Sequence, residues 1–180
     1  MKKIAVIYKS RYGATKQYAE WIAEELGAEL LNVSQVDAKT LGAYDTVIYG
    51  GALYAGGIIG YKGFDFSQVR ELVLFTVGLF DPEHTAFWPL LSKGLPMEYS
   101  KEVKTFHLQG SINYEKLSFA HQAMMAGLKD YVLQVPDELQ SDDDRLLLKT
   151  YGGSLDLTDR LSVQPLIEHV TRGGAAWPTT

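Results

Sequence analysis

Ser10 and Thr15 bracket Gly13 at the point where an apolar run gives way to a helix pattern. The run is Lys3-Ile4-Ala5-Val6-Ile7-Tyr8-Lys9, and Ser10-Arg11-Tyr12-Gly13-Ala14-Thr15 follows at once. A strand that turns directly into a helix aims several backbone N–H groups at one point, where the helix dipole also favours an anion. The two hydroxyls add side-chain donors. Gly13 permits a tight turn and a close approach of backbone to ligand. These residue types at this spacing suit a phosphate group.

Two later stretches could hold what the phosphate is attached to. Residues 50 to 63 contain six glycines, interleaved with Leu53, Tyr54, Ile58, Ile59 and Tyr61. That is too apolar for a flexible linker. Its first half, Gly51-Ala52-Leu53-Tyr54-Ala55-Gly56, reads as a loop presenting apolar side chains to a ligand; the alternative is a turn packed on its own core. Thr76-Val77-Gly78-Leu79-Phe80 closes another apolar run. Tyr54 and Phe80 are able to stack on a flat ring. A flat ring carrying a single phosphate is what FMN offers. Other phosphate binders fit less well. G-x-G-x-x-G needs more glycines than Gly13 supplies, and Gly13-Ala14-Thr15-Lys16 is not a Walker loop. A phospho-accepting receiver would need an aspartate where Tyr49-Gly50 stands, and no G-x-S-x-G elbow is present. His84, His107, His121 and His169 lack metal-ligand spacing. No residue stands out as a general acid or base, so no catalytic or metal residue is assigned.

The elements that position these loops alternate. After the first strand, Ala19, Ile22, Ala23 and Leu26 recur at helical spacing and Gly27 stops the helix. A short strand over 28–33, a polar connection with a brief helix, and a third strand Thr46-Val47-Ile48-Tyr49 ending at Gly50-Gly51 come next. Residues 71–77 and 101–109 supply two more strands, with a helix start at Asp81-Pro82 between them. This order predicts an α/β fold with a parallel sheet wound on both faces, and ligands in such sheets sit beyond the carboxyl ends of the strands. A helical insert spans about 112–148. Its long helix carries Leu117, Ala120, Met124, Leu128 and Tyr131 on one stripe, widened by Met125 and Val132 and read as core, with docking to a partner or a membrane surface as the alternative. Asp142-Asp143-Asp144 reads as a helix start. A final helix runs from about 158 to 172. With no linker or repeat, residues 1–180 are expected to form a single domain.

Bulk composition excludes several classes. The chain has 180 residues, 46% hydrophobic and 22% charged, the balance of an ordinary globular protein. It has no Cys, so disulfides, thiolate metal sites and a cysteine nucleophile are ruled out. A net charge of -5 gives no basic footprint for nucleic acid. No apolar run reaches the roughly 18 residues of a spanning helix, and a cytoplasmic location is expected. Acidic surroundings and an apolar stack would disfavour a negatively charged reduced ring.

The phosphate-loop residues Tyr8 to Lys16, together with Tyr44-Asp45 and Val47-Ile48-Tyr49-Gly50-Gly51-Ala52, resemble the flavodoxin-like family. Within it they resemble the branch that includes bacterial protoporphyrinogen dehydrogenases. The resemblance covers the first 110 residues and continues weakly through Gly152-Gly153-Ser154-Leu155-Asp156 into the last helix. It implies a doubly wound five-stranded parallel sheet in the order 2-1-3-4-5 and FMN as cofactor. It further implies that Ser10, Gly13 and Thr15 contact the phosphate, with Arg11, Tyr12 and Ala14 lining the turn. Residues of the 50–56 and 76–80 loops would flank the ring. Electron-carrier flavodoxins place a third hydroxyl residue where this chain has Tyr12, and lack the insert. The leading expectation is an FMN protein carrying electrons between redox partner proteins. The alternatives are an FMN-dependent oxidoreductase acting on a quinone or porphyrinogen-type substrate, and an interaction module without flavin. A peripheral membrane contact and a homodimer are further partner expectations. A pocket beside the flavin would favour an enzyme; an exposed flavin edge would favour a carrier.

Overall fold

The computed structural model describes residues 2–54, 57–60, 66, 69–80 and 103–172. The expected helix start at Asp81-Pro82 and the first residues of the fifth strand, Lys101 and Glu102, lie outside them. In chain order the first elements are β1 (Ile4–Lys9), α1 (Ala14–Leu26), β2 (Glu29–Asn32), α2 (Ala38–Leu41), β3 (Thr46–Tyr54), β4 (Gly57–Ile58), β5 (Glu71–Gly78) and β6 (Lys104–Gln109). Five of the strands form one parallel sheet in the order β2-β1-β3-β5-β6, while β4 folds back antiparallel on the end of β3. With β4 set aside, this is the 2-1-3-4-5 order expected of the family.

The central strands β1, β3 and β5 read as continuous apolar runs because both faces of the sheet are covered there. Along β1, Ala5 and Ile7 join Val47, Tyr49, Leu74 and Leu41 in one buried cluster. Val6 points the other way, into a cluster with Tyr18, Ile22, Ile48, Val73 and Phe75. The period of two along a strand makes this division automatic.

β3 is longer than the sequence suggests. Instead of ending at Gly50-Gly51 it continues to Tyr54, because Gly50 and Gly51 pair with Tyr8 and Lys9 of β1 on one side and with Phe75 and Thr76 of β5 on the other. The glycines serve packing. A Cβ on Gly50 would lie 1.9 Å from Phe75 Cζ, so the Phe75 ring occupies the space a side chain would need.

Beyond β6 the chain forms β7 (Ser111–Asn113), α3 (Phe119–Val132), α4 (Asp142–Thr150), β8 (Ser154–Asp156) and α5 (Gln164–Thr171). β7 and β8 form a separate antiparallel pair. Between them α3 and α4 build a third small core from Tyr114, Met125, Val132 and Leu147. Ser141 and Asp144 close a reciprocal cap at the start of α4, as its acidic run suggests. The buried stripe of α3 is narrower than the expected one, and Leu117 packs beside it. Met125, Leu128 and Val132 face this core, whereas Ala120 and Tyr131 are exposed and Met124 is 40% exposed. The packing partner, Leu147 on α4, selects the face, and that partner is not visible in the helix's own sequence. A 3-10 turn (Arg160–Val163) occupies the start of the expected last helix. Among the described residues no helix is long and apolar enough to cross a membrane, and no His/Asp/Glu group could hold a metal.

Candidate functional site

The carboxyl ends of β1, β3, β5 and β6 open into a cavity of about 420 Å³. Its floor is the turn from β1 into α1. Ser10, Arg11, Tyr12, Ala14 and Thr15 line it. Gly13 does not; it stands at the start of α1 with φ 107°, a conformation that favours glycine. Ser10 Oγ accepts the Gly13 N–H at 3.1 Å, which leaves the hydroxyl proton available to a ligand. No side chain caps α1 and no acidic residue occupies its first turn. Thr15 is only 2% exposed and lines the cavity, yet its hydroxyl has no protein partner among the described residues. Unclaimed N–H groups at a helix start, beside two hydroxyl donors, are the donor set of a phosphate site.

The walls are apolar. Ala52 and Leu53 at the end of β3 form one side, and Val77, Gly78, Leu79 and Phe80 form another. Gly51 is not in the lining, because it packs under Ile58 and Ile59, where a Cβ would lie 2.4 Å from Ile58 Cγ2. Thr76 is fully buried beneath the wall instead of on it. Its hydroxyl lies 2.7 Å from His107 Nδ1, and His107 Nε2 lies 3.2 Å from the Phe80 carbonyl. A carbonyl only accepts, so Nε2 carries a proton, and Nδ1 shares the hydrogen bond with the Thr76 hydroxyl. His107 thereby braces the 76–80 turn from below. The side chain of Tyr54, and Ala55 and Gly56, lie outside the described residues.

The fourth wall was not legible as site. Leu117, His121, Met124, Met125 and Leu128 close the cavity from the insert, and Gly110, Ser111, Ile112 and Asn113 lead into it. Their signal in the sequence is indirect: β6 ends at Gly110-Ser111 in the same way that the other strands end, so its turn belongs to the same end of the sheet. Met124 turns partly toward the cavity, which accounts for an apolar residue outside the α3 core. The lining holds no carboxylate among the described residues, and Arg11 is its one fixed charge. Among the described residues the acidic setting expected from the net charge does not reach this lining; Glu24 and Glu25 on α1, for example, pair with Arg160. A phosphate cradle joined to apolar walls fits a mononucleotide with a flat ring, in a volume typical of small-molecule sites.

The chain belongs to the flavodoxin domain family, whose model matches residues 5–131. Oxidised flavodoxin 2 from Bacillus cereus is similar at 21% identity and a TM-score of 0.43, covering 59% of this chain and 85% of that one. A flavoprotein in complex with FMN from Lactobacillus acidophilus gives 17% identity and a TM-score of 0.42, covering 61% and 93%. A flavodoxin from the domain Archaea gives 16% and 0.38; 42% of this chain spans 62% of that one. No curated protein matches the chain.

Proposed function

We propose that this member of the flavodoxin domain family binds FMN and is an FMN-dependent oxidoreductase for a small, flat, apolar partner of the quinone or porphyrinogen type. The observation that carries this reading is the α3 wall. Met124, Met125 and Leu128 stand on the cavity that also contains the phosphate-loop residues. An insert laid against the cofactor site favours a small molecule over docking of a second protein at a bare ring edge. The carrier reading favoured by the sequence rested on the lack of an acid or base; His121 now lines the cavity from α3, so a protonatable side chain is present.

FMN, when bound, supplies the electron transfer itself. The chain's own residues bind and orient it. Ser10, Thr15 and the α1 N–H groups hold the phosphate. The 52–53 and 77–80 turns set the plane of the ring, and His107 fixes the second turn through Thr76 and the Phe80 carbonyl. The apolar lining excludes water.

The test is a rate comparison on FMN-loaded protein, reduced anaerobically and mixed with a soluble quinone. Met124→Lys places a charge on the α3 wall at a half-exposed position. Losing the buried half of a methionine contact is worth about 1 kcal/mol, so quinone turnover should fall by about fivefold, with FMN affinity held within about twofold. Quinone rates equal in both proteins, with a redox protein reduced far faster, would return the chain to the carrier class.

A further inference from the structure

We propose that Tyr12 is a positioning residue that ties the phosphate loop to α3, so that a filled loop and a closed α3 wall favour one another. The inference rests on FMN occupying the loop. Tyr12 stands where electron carriers of this fold have a hydroxyl for the phosphate, but its own hydroxyl is engaged elsewhere. It accepts the Ser118 N–H at 3.2 Å and lies 2.6 Å from His121 Nδ1. The phenol oxygen therefore makes two hydrogen bonds at once, one received from Ser118 and one shared with Nδ1. The two rings also meet edge-on, with centroids 5.6 Å apart.

One oxygen thus holds two points of the first turn of α3. Ser118 is the N-cap of that helix, and its hydroxyl receives the His121 N–H. The partners are 106 and 109 residues away in sequence, so the link is purely tertiary. Elsewhere α3 packs on α4 and Tyr114, within the insert's own core. Among the described residues Leu79 is the sheet-side residue in that core, and Tyr12 supplies a further attachment between insert and sheet. Arg11, its neighbour in the loop, sits with its guanidinium carbon 5.8 Å from the Tyr12 ring centroid. A phosphate drawn to Ser10, Thr15 and the α1 amides would fix the loop that carries Tyr12, and through it the start of α3. Coupling of this kind is reciprocal: whatever the phosphate does for α3, α3 does for phosphate binding.

Tyr12→Phe removes the oxygen and keeps the ring contact. Hydrogen exchange on the apo protein should show amides 118–122 opening about tenfold faster in Y12F, the expected scale for a lost partly buried hydrogen bond, with β1 and β3 unchanged. FMN should slow those amides in the wild-type protein and do so several-fold less in Y12F. His121→Ala should reproduce the effect, and Y12F/H121A should add little to either single change. Equal exchange at 118–122 in wild type and Y12F, or equal slowing by FMN in both, would overturn the proposal. If the wild-type protein retains no flavin, the cofactor reading fails by itself, and the apo comparison still decides whether Tyr12 holds α3.

Discussion

Thr15→Val weakens FMN binding by about 10- to 100-fold, the loss expected when one hydrogen bond to a charged group, about 1.5–3 kcal/mol, is removed. The reason is specific to this position. Thr15 is almost wholly buried, and its hydroxyl meets no protein group among the described residues while lining the cavity. Valine keeps the shape and deletes the donor. The protein without flavin should therefore melt at the same temperature or slightly higher, because the change breaks no hydrogen bond among the described residues and adds apolar surface at a buried position. Fluorescence titration and a melting curve read the two quantities separately. A variant that binds FMN as tightly as the parent would mean the hydroxyl faces no phosphate.

Gly50→Ala should destabilise the fold by about 2–3 kcal/mol, at the upper end for overpacking a core by one carbon. For a chain of this length that lowers the melting temperature by roughly 4–12 °C. In an open strand the same change would help, since alanine loses less backbone entropy than glycine. Here the added carbon would stand within 2.5 Å of three Phe75 ring atoms, and Gly50 lies between β1 and β5 with no free edge to move toward. Shrinking the ring should relieve it: Gly50→Ala with Phe75→Leu should be more stable than Gly50→Ala alone. Strict additivity of the two changes would show that the ring is not the obstacle.

Much of the sheet was legible because its central strands β1, β3 and β5 had to be apolar along most of their length, and the strand ends at the site turn with Gly, Ser or Thr. The phosphate loop was legible for the same local reason: donors, glycine and helix start all fall within six residues. Three features were not. Gly50 and Gly51 read as the end of a strand, since glycine usually interrupts one, whereas Phe75 across the sheet requires them to continue it. The buried face of α3 read too broad, since Leu147, 15 to 22 residues further along the chain, decides which part of the stripe is covered. The bond from Tyr12 to His121 has no local signal at all, and Tyr12 read as a departure from the family's hydroxyl pattern. In each case the deciding partner is distant in sequence. The same holds for His107, which braces the 76–80 turn from the neighbouring strand.

The central claim is that the opening turn holds a phosphate and thereby anchors a flavin ring between apolar walls. Parallel titrations of the apo protein with FMN and with riboflavin test it most directly, because the two ligands share the ring and differ by the phosphate. A phosphate held by Ser10, Thr15 and the α1 amides contributes at least two charge-assisted hydrogen bonds, so FMN should bind more tightly by about 100-fold or more. Equal affinities for the two ligands, or retention of neither, would contradict the account.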